Sequence, residues 1–285
     1  MEHLHTAGLL PTSARSLGPL KLWQPLSIAD AVACLDRCEK PVLLAGGTDL
    51  VAQYNEGLAP RSLIDISRID AMRQLHQQDG VWHIGALVTH HRGCSDAGLR
   101  ALAPGFARAW SRIANPRIRF RGTLGGNLMA RRTRYEGVLL LQALDAKLNF
   151  ATPTAIEQAP VDSVWQRGVA GRGVLTGIEL DARDLLAFDY ERSLRPLMTQ
   201  ALAVWRQADG LRLGLTMATE HLVPLRLSLA LPGVAIQQLR SRATAISRDL
   251  LAGLPTTFTD VQITTDYARR AGAALVARQL ESLHV

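Results

Sequence analysis

Apolar residues recur at helical spacing at Ile28, Ala31, Val32 and Leu35. Ser27 precedes them, with Asp30 three residues on, the pattern of a capped helix start. Val42 to Ala45 follow as a short buried strand. Residues 61–67 (RSLIDIS) read as another strand, and 80–90 (GVWHIGALVTH) as a strand with a turn at Gly85. The opening part therefore mixes helix and strand, as a small α/β unit does. From 97 to 114, Leu99, Leu102, Phe106 and Trp110 fall three or four apart and predict a helix. Residues 136–150 (EGVLLLQALDAKLNF) read as a helix or short run feeding a strand.

The texture changes after about residue 172. Leu211, Leu213, Leu215 and Met217 alternate with Arg212, Gly214 and Thr216 beside an Asp209-Gly210 turn, which predicts a β-hairpin. Residues 235–254 and 266–283 read as two amphipathic helices. The C-terminal third is thus a hairpin-based sheet with helices packed on it.

The chain has 285 residues, enough for one large domain or two to three small ones. Its composition, 47% hydrophobic and 20% charged, suits a soluble globular protein. No apolar run approaches the ~20 residues that span a bilayer, so no membrane insertion is expected. The first 20 residues lack a basic start followed by an apolar core. They read as an extension, disordered or lying on a partner, and not as a secretory signal.

The formal charge of +7 favours anionic partners. Only 5% of residues are aromatic, and no nucleic-acid reader motif is present, so nucleic acid is not expected. The three cysteines, Cys34, Cys38 and Cys94, form no CxxC pair. They suit a reducing, cytoplasmic setting and exclude a zinc site or an iron–sulfur cluster held by this chain alone. The adjacent His90-His91 read as surface or loop histidines, and no metal-ligand set is expected.

Two glycine turns carry the candidate chemistry. Gly46-Gly47 follow a strand and precede Thr48-Asp49, which could start a helix. Glycines let an anion approach the main chain, and successive N–H groups make a concave nest. The stretch is neither a P-loop nor a Rossmann fingerprint, since GK[ST] and GxGxxG are both absent. The second turn runs from Arg121 through Gly122, Thr123, Leu124, Gly125 and Gly126 to Asn127. Two such turns, distant in sequence, could clamp both phosphates of one dinucleotide, with Thr48, Thr123 and Asn127 adding side-chain hydrogen bonds. Arg117 and Arg119 read as the basic face of a strand.

The stretches AGGTDL (45–50) and RGTLGGNL (121–128) resemble the paired FAD-binding motifs of the flavoprotein subunit of molybdenum hydroxylases. That family includes the medium subunit of aerobic carbon monoxide dehydrogenase and the FAD domain of xanthine dehydrogenase. The resemblance runs from about residue 21 to 283. It implies an α+β fold: a two-part FAD-binding region of the p-cresol methylhydroxylase type, then a C-terminal antiparallel sheet with helices. The implied division is an extension over 1–20, an FAD-binding region over 21–173 split near 75, and a C-terminal domain over 174–285.

By the same resemblance, Leu43, Leu44, Ala45, Gly46, Gly47, Thr48, Asp49 and Leu50 bind the FAD pyrophosphate together with Thr123, Leu124, Gly125, Gly126 and Asn127. Glu136 stands where the family usually has an aspartate, nine residues past Asn127. The stretch before it, ARRTRYE, departs from the family's small, proline-containing one. Arg192 replaces a lysine often found near the flavin, and reads either as a charge stabilising reduced flavin or as a surface ion-pair residue. Ile113 and Leu175 read as cofactor-packing or ordinary core positions.

The resemblance further implies an oxidoreductase component that accepts electrons from [2Fe–2S] clusters of a small partner subunit and passes them to an external acceptor. A large partner subunit would hold molybdenum–pterin, and the assembly would be a heterotrimer or its dimer. No catalytic acid, base or nucleophile is implied. The competing expectations are a cofactor-free structural subunit, a basic nucleic-acid-binding protein and a self-sufficient flavin oxidase.

Overall fold

A computed structural model describes residues 20–55, 58, 60–166, 168, 173–192 and 197–283. The extension expected over the first 20 residues lies, apart from Leu20, outside them.

Three sheets are present among the described residues. The first is parallel, in the order β1-β3-β2: Lys21–Trp23 (β1), Pro41–Leu44 (β2) and Ser62–Asp65 (β3). Helix α1 (Ile28–Arg37) connects β1 to β2, and Ser27 caps it by accepting from the Asp30 amide at 3.1 Å. Helix α2 (Leu50–Asn55) follows β2.

The second sheet is antiparallel, in the order β4-β5-β8-β6-β7. It comprises Leu75–Gln78 (β4), Val81–Gly85 (β5), Lys147–Ala151 (β6), Ile156–Pro160 (β7) and Val174–Asp181 (β8). Between β5 and β6 lie six helices: α3 (His90–Ser95), α4 (Ala97–Leu102), α5 (Pro104–Ser111), α6 (Pro116–Arg119), α7 (Leu124–Met129) and α8 (Glu136–Ala143).

The third sheet is an antiparallel meander, β12-β11-β10-β9: Leu185–Glu191 (β9), Thr199–Gln207 (β10), Gly210–Ala218 (β11) and Leu225–Pro232 (β12). Helices α9 (Ala243–Ala252) and α10 (Thr265–Ser282) complete the chain. The α+β architecture with antiparallel sheets is as expected.

The period-two pattern of the hairpin follows from what covers each face. Leu211, Leu213, Leu215 and Met217 share one apolar core with Ile246, Leu250 and Val276 from the two C-terminal helices. In β10, Leu202 and Val204 join that core, while Ala201, Ala203 and Trp205 belong to the other, beside α8. Small alanines let α8 pack on the sheet, and α8 is apolar all round because both its sides are covered (Val138 to Leu141 are at most 1% exposed). On that second face Arg212 pairs with Asp145 at 2.8 Å and lies over the Trp205 ring.

Four expectations are corrected. The helix read over 97–114 breaks at Ala103-Pro104, because proline lacks the N–H that continues a helix and favours its first turn. The helix read over 235–254 is regular only over Ala243–Ala252, preceded by a 3₁₀ turn at Ile236–Gln238. Arg117 and Arg119 lie on a short helix and not on a strand: Asn115 caps it, accepting from the Ile118 amide, and Pro116 occupies its first position. Residues 174–181, assigned to the C-terminal domain, instead form the central strand β8 of the second sheet, since β8 pairs with both β5 and β6. The third sheet begins at Leu185.

Gly105 joins α5 to β9 with no space for a side chain: a Cβ there would overlap the Phe188 carbonyl oxygen. Gly105→Ala is expected to lower unfolding free energy by about 1–3 kcal/mol, the usual penalty of overpacking, in a denaturant melt. Gly168→Ala, where a Cβ would meet nothing within 4 Å among the described residues, should leave the melt nearly unchanged.

Candidate functional site

The two glycine bends meet. A Cβ on Gly46 would overlap the carbonyl oxygen of Arg121 and lie 3.1 Å from the Cα of Gly122. Only glycine permits that approach. Gly47 has a φ of 74°, a left-handed conformation that a side chain would strain. The second bend is anchored by main-chain bonds from His90 N to Gly122 O (3.0 Å), Leu124 N to Val88 O (2.9 Å) and Gly125 N to Ala86 O (2.9 Å).

A cavity of about 840 Å³ lies between them. That volume falls within the roughly 300–1,000 Å³ of small-molecule and cofactor sites. Fifteen of the seventeen candidate residues line it. Leu44 and Leu124 do not. Ile113 and Leu175 are both core and wall, being buried and facing the cavity. Two non-glycine wall residues, Ala114 and Arg131, hold left-handed backbone. Each such residue costs about 1 kcal/mol or more, and this strain gathers at ligand sites.

The bends differ in what they offer an anion. Among the described residues, the N–H groups of Gly46, Gly47, Thr48 and Asp49 have no partner in the protein. In the second bend, by contrast, Leu124 and Gly125 donate to the loop before α3, and Gly126 donates to Thr123 Oγ1 at 3.0 Å. The expectation that both glycine pairs present free amides is therefore corrected. The second pair serves close packing: a Cβ at Gly125 would lie 2.7 Å from Ala86. Asn127 is likewise engaged, its Oδ1 accepting from the Gly137 amide at 3.0 Å.

The ARRTRYE stretch crosses to the first bend. Arg132 Nε donates to Asp49 Oδ1 at 2.8 Å, Tyr135 OH donates to the same oxygen at 2.5 Å, and Gln53 donates to Oδ2. Burial raises the Asp49 pKa, but these three donors outweigh it and hold the carboxyl below the usual range. Burial, and then the bond to Asp49, push the Tyr135 phenol up to about 12.

Next to Tyr135 in sequence, Glu136 pairs with Arg192, and Tyr190 OH donates to Glu136 Oε1 at 3.5 Å. Burial dominates at Glu136 and raises its pKa, with Arg192 opposing. Arg192 is thus an ion-pair residue and a cavity residue at once.

Sequence reasoning missed His90, Arg112, Arg134 and Tyr135 as wall residues. His90 also corrects the surface assignment: it is 2% exposed, and its Nδ1 accepts from Trp110 Nε1 at 2.9 Å. Burial, with the Arg119 charge nearby, depresses its pKa to about 4. No adjacent residue signals this. Trp110 lies twenty positions away.

No group of three or more metal-ligating side chains, and no helix long and apolar enough to cross a membrane, occurs among the described residues.

The profile of the family described as "FAD binding domain in molybdopterin dehydrogenase" matches residues 18–179. The chain is 34% identical over 107 residues to a nicotinate dehydrogenase FAD-subunit of Eubacterium barkeri, covering 37% of this chain and 36% of the relative. It is 31% identical over 143 residues to a carbon monoxide dehydrogenase medium chain of Hydrogenophaga pseudoflava, covering 50% of each. The chain thus spans half or less of the length of these two relatives. The fold is similar to that of a chain of carbon monoxide dehydrogenase from Hydrogenophaga pseudoflava lacking the Mo-pyranopterin moiety, with a TM-score of 0.75 and 21% identity over 92% of this chain and 96% of that one.

The depressed pKa of His90 fixes a pH dependence. The unfolded histidine takes up a proton near 6.5, whereas the folded one resists it until about 4. The unfolded state therefore binds more protons between those values, and stability falls as pH is lowered through that window. His90→Asn should flatten the slope of unfolding free energy between pH 6.5 and 4, measured by denaturant melts across that range.

Proposed function

Because the chain belongs to the family of FAD-binding domains of molybdopterin dehydrogenases, we propose that it is the FAD-containing electron-transfer subunit of a heteromeric molybdenum hydroxylase. As an oxidoreductase component, it accepts electrons from [2Fe–2S] clusters of a small partner subunit and passes them to an external acceptor. A large partner subunit holds the molybdenum–pterin. The assembly is a cytoplasmic heterotrimer or its dimer, which agrees with three free cysteines and a reducing compartment. The FAD-binding region runs through β8 to Asp181, and the C-terminal part begins with β9.

One observation carries the reading. Two bends far apart in sequence touch at Gly46 and Arg121, and unpaired amides of the first face a cavity large enough for a dinucleotide. Bound FAD supplies the redox chemistry. The protein's residues supply position and field. Main-chain N–H groups from Gly46 to Asp49 take the diphosphate as a nest. Arg132 neutralises Asp49, so that carboxylate does not repel the phosphates. Ile113 and Leu175 give the cavity an apolar wall, and the Glu136–Arg192 pair sets the charge at one of its ends.

The full-length chain should purify yellow, release FAD on denaturation, and bring partner chains containing molybdenum and iron. A colourless protein that takes up no added FAD would sink the flavin reading and favour the cofactor-free structural subunit. Gly46→Ala should force the bends apart and lower FAD occupancy at least tenfold, read from the flavin-to-protein absorbance ratio, while circular dichroism stays that of a folded chain.

A further inference from the structure

Of the polar side chains lining the cavity, His90 has the least explained position. It is the first residue of α3, capped by Thr89, whose Oγ1 accepts from the Arg92 amide at 3.2 Å. The residue is 2% exposed yet lines the cavity. Indole is a donor only, so the Trp110 bond requires Nδ1 to be unprotonated. A neutral ring must then carry its proton on Nε2. Among the described residues, no protein atom pairs with that N–H.

Trp110 cannot yield. It is fully buried, packed against Phe106 at 5.4 Å between ring centroids, and Gly93 leaves it no spare room, since a Cβ there would overlap its ring. The imidazole is therefore held in one orientation and one tautomer. Its edge also lies where the bends meet. A Cβ built on Gly122 would sit 3.2 Å from Thr48 Oγ1 and 3.3 Å from His90 Cδ2, the carbon bonded to Nε2. Gly122 thus lies between the hydroxyl of the first bend and the imidazole edge.

In the second bend Leu124, Gly125 and Gly126 have spent their amides on Val88, Ala86 and Thr123, and among the described residues only the Thr123 N–H of that stretch has no partner. Beyond that one amide, further donors to an anion held by the first bend have to come from side chains on the opposite side. Resting on the FAD reading of the cavity, we propose that His90 is a binding residue whose Nε2–H donates to a phosphate oxygen of the bound diphosphate, with Trp110 as the positioning residue that fixes the donating tautomer. A neutral donor suits this place: it stays uncharged at physiological pH and adds direction to the hydrogen bond without adding charge.

The test uses the full-length chain stripped of FAD, titrated with FAD, ADP and riboflavin. His90→Asn keeps an oxygen able to accept from Trp110 but places no donor at the Nε2 position. His90→Gln returns an amide N–H at greater reach. We expect His90→Asn to weaken FAD and ADP by about ten- to a hundredfold, as loss of one hydrogen bond to a charged group does, and to leave riboflavin unchanged. His90→Gln should recover part of the loss. In the wild type, ADP should move the ¹⁵N resonance of His90 Nε2 and leave Nδ1 nearly still, a readout a purely structural role would not give. Unchanged ADP affinity in His90→Asn, or equal loss of riboflavin and ADP, overturns the proposal. Should His90→Asn fail to fold, the Nε2 resonance decides, and one indifferent to ADP overturns it. A wild type that binds ADP and FAD beside an indifferent variant removes only this inference. A wild type that binds neither removes the flavin reading with it.

Discussion

The contact between Gly46 and the Arg121 carbonyl is the constraint on which the cavity depends. It joins a parallel α/β unit to a helical insertion of a separate antiparallel sheet. Neither bend alone forms a container. The first has open amides but no opposite wall, and the second has a wall but few free amides. Side-chain-free residues let them share one edge, and the volume between them is what remains when two backbones touch at a single place. The networks around this contact reinforce it from both sides, with Arg132 and Tyr135 on Asp49 and the His90 amide on Gly122.

The ARRTRYE stretch changes meaning in this setting. In sequence it is a run of three arginines where a small, proline-containing segment was expected. Folded, it is a strap whose charge is partly used inside the molecule: Arg132 neutralises the buried Asp49, and Arg134 lies 4.0 Å from Glu220. The basic balance of the chain is therefore not simply a solvated surface. Some of it compensates carboxylates around a cavity whose proposed occupant is itself an anion.

Much of the fold was legible because its signals are local. The Ser27 cap, the alternation from Leu211 to Met217 and the strand ahead of Gly46 each depend on residues within one element. The errors came where proline or long-range pairing decided. Pro104 and Pro116 reset helices that apolar spacing alone would have run on or missed. β8 has no marking that ties it to β5, which lies about ninety positions earlier; pairing, not propensity, places it. The site divides the same way. Glycine pairs announce themselves, but which amides stay free is set by partners at Ala86 and Val88. His90 was misread because its partner, Trp110, is on another helix.

The central position of β8 also bears on how the protein is made. Leu175, a wall of the cavity, arrives on a strand that slots between β5 and β6 after both have left the ribosome. Until then the second sheet has a gap through its middle, and the two glycine bends hang from separate, half-built supports. A nascent chain thus carries both bends well before it carries that part of the wall. A truncation before Val174 would keep both motifs but lose the Leu175 wall and the strand that joins β5 to β6.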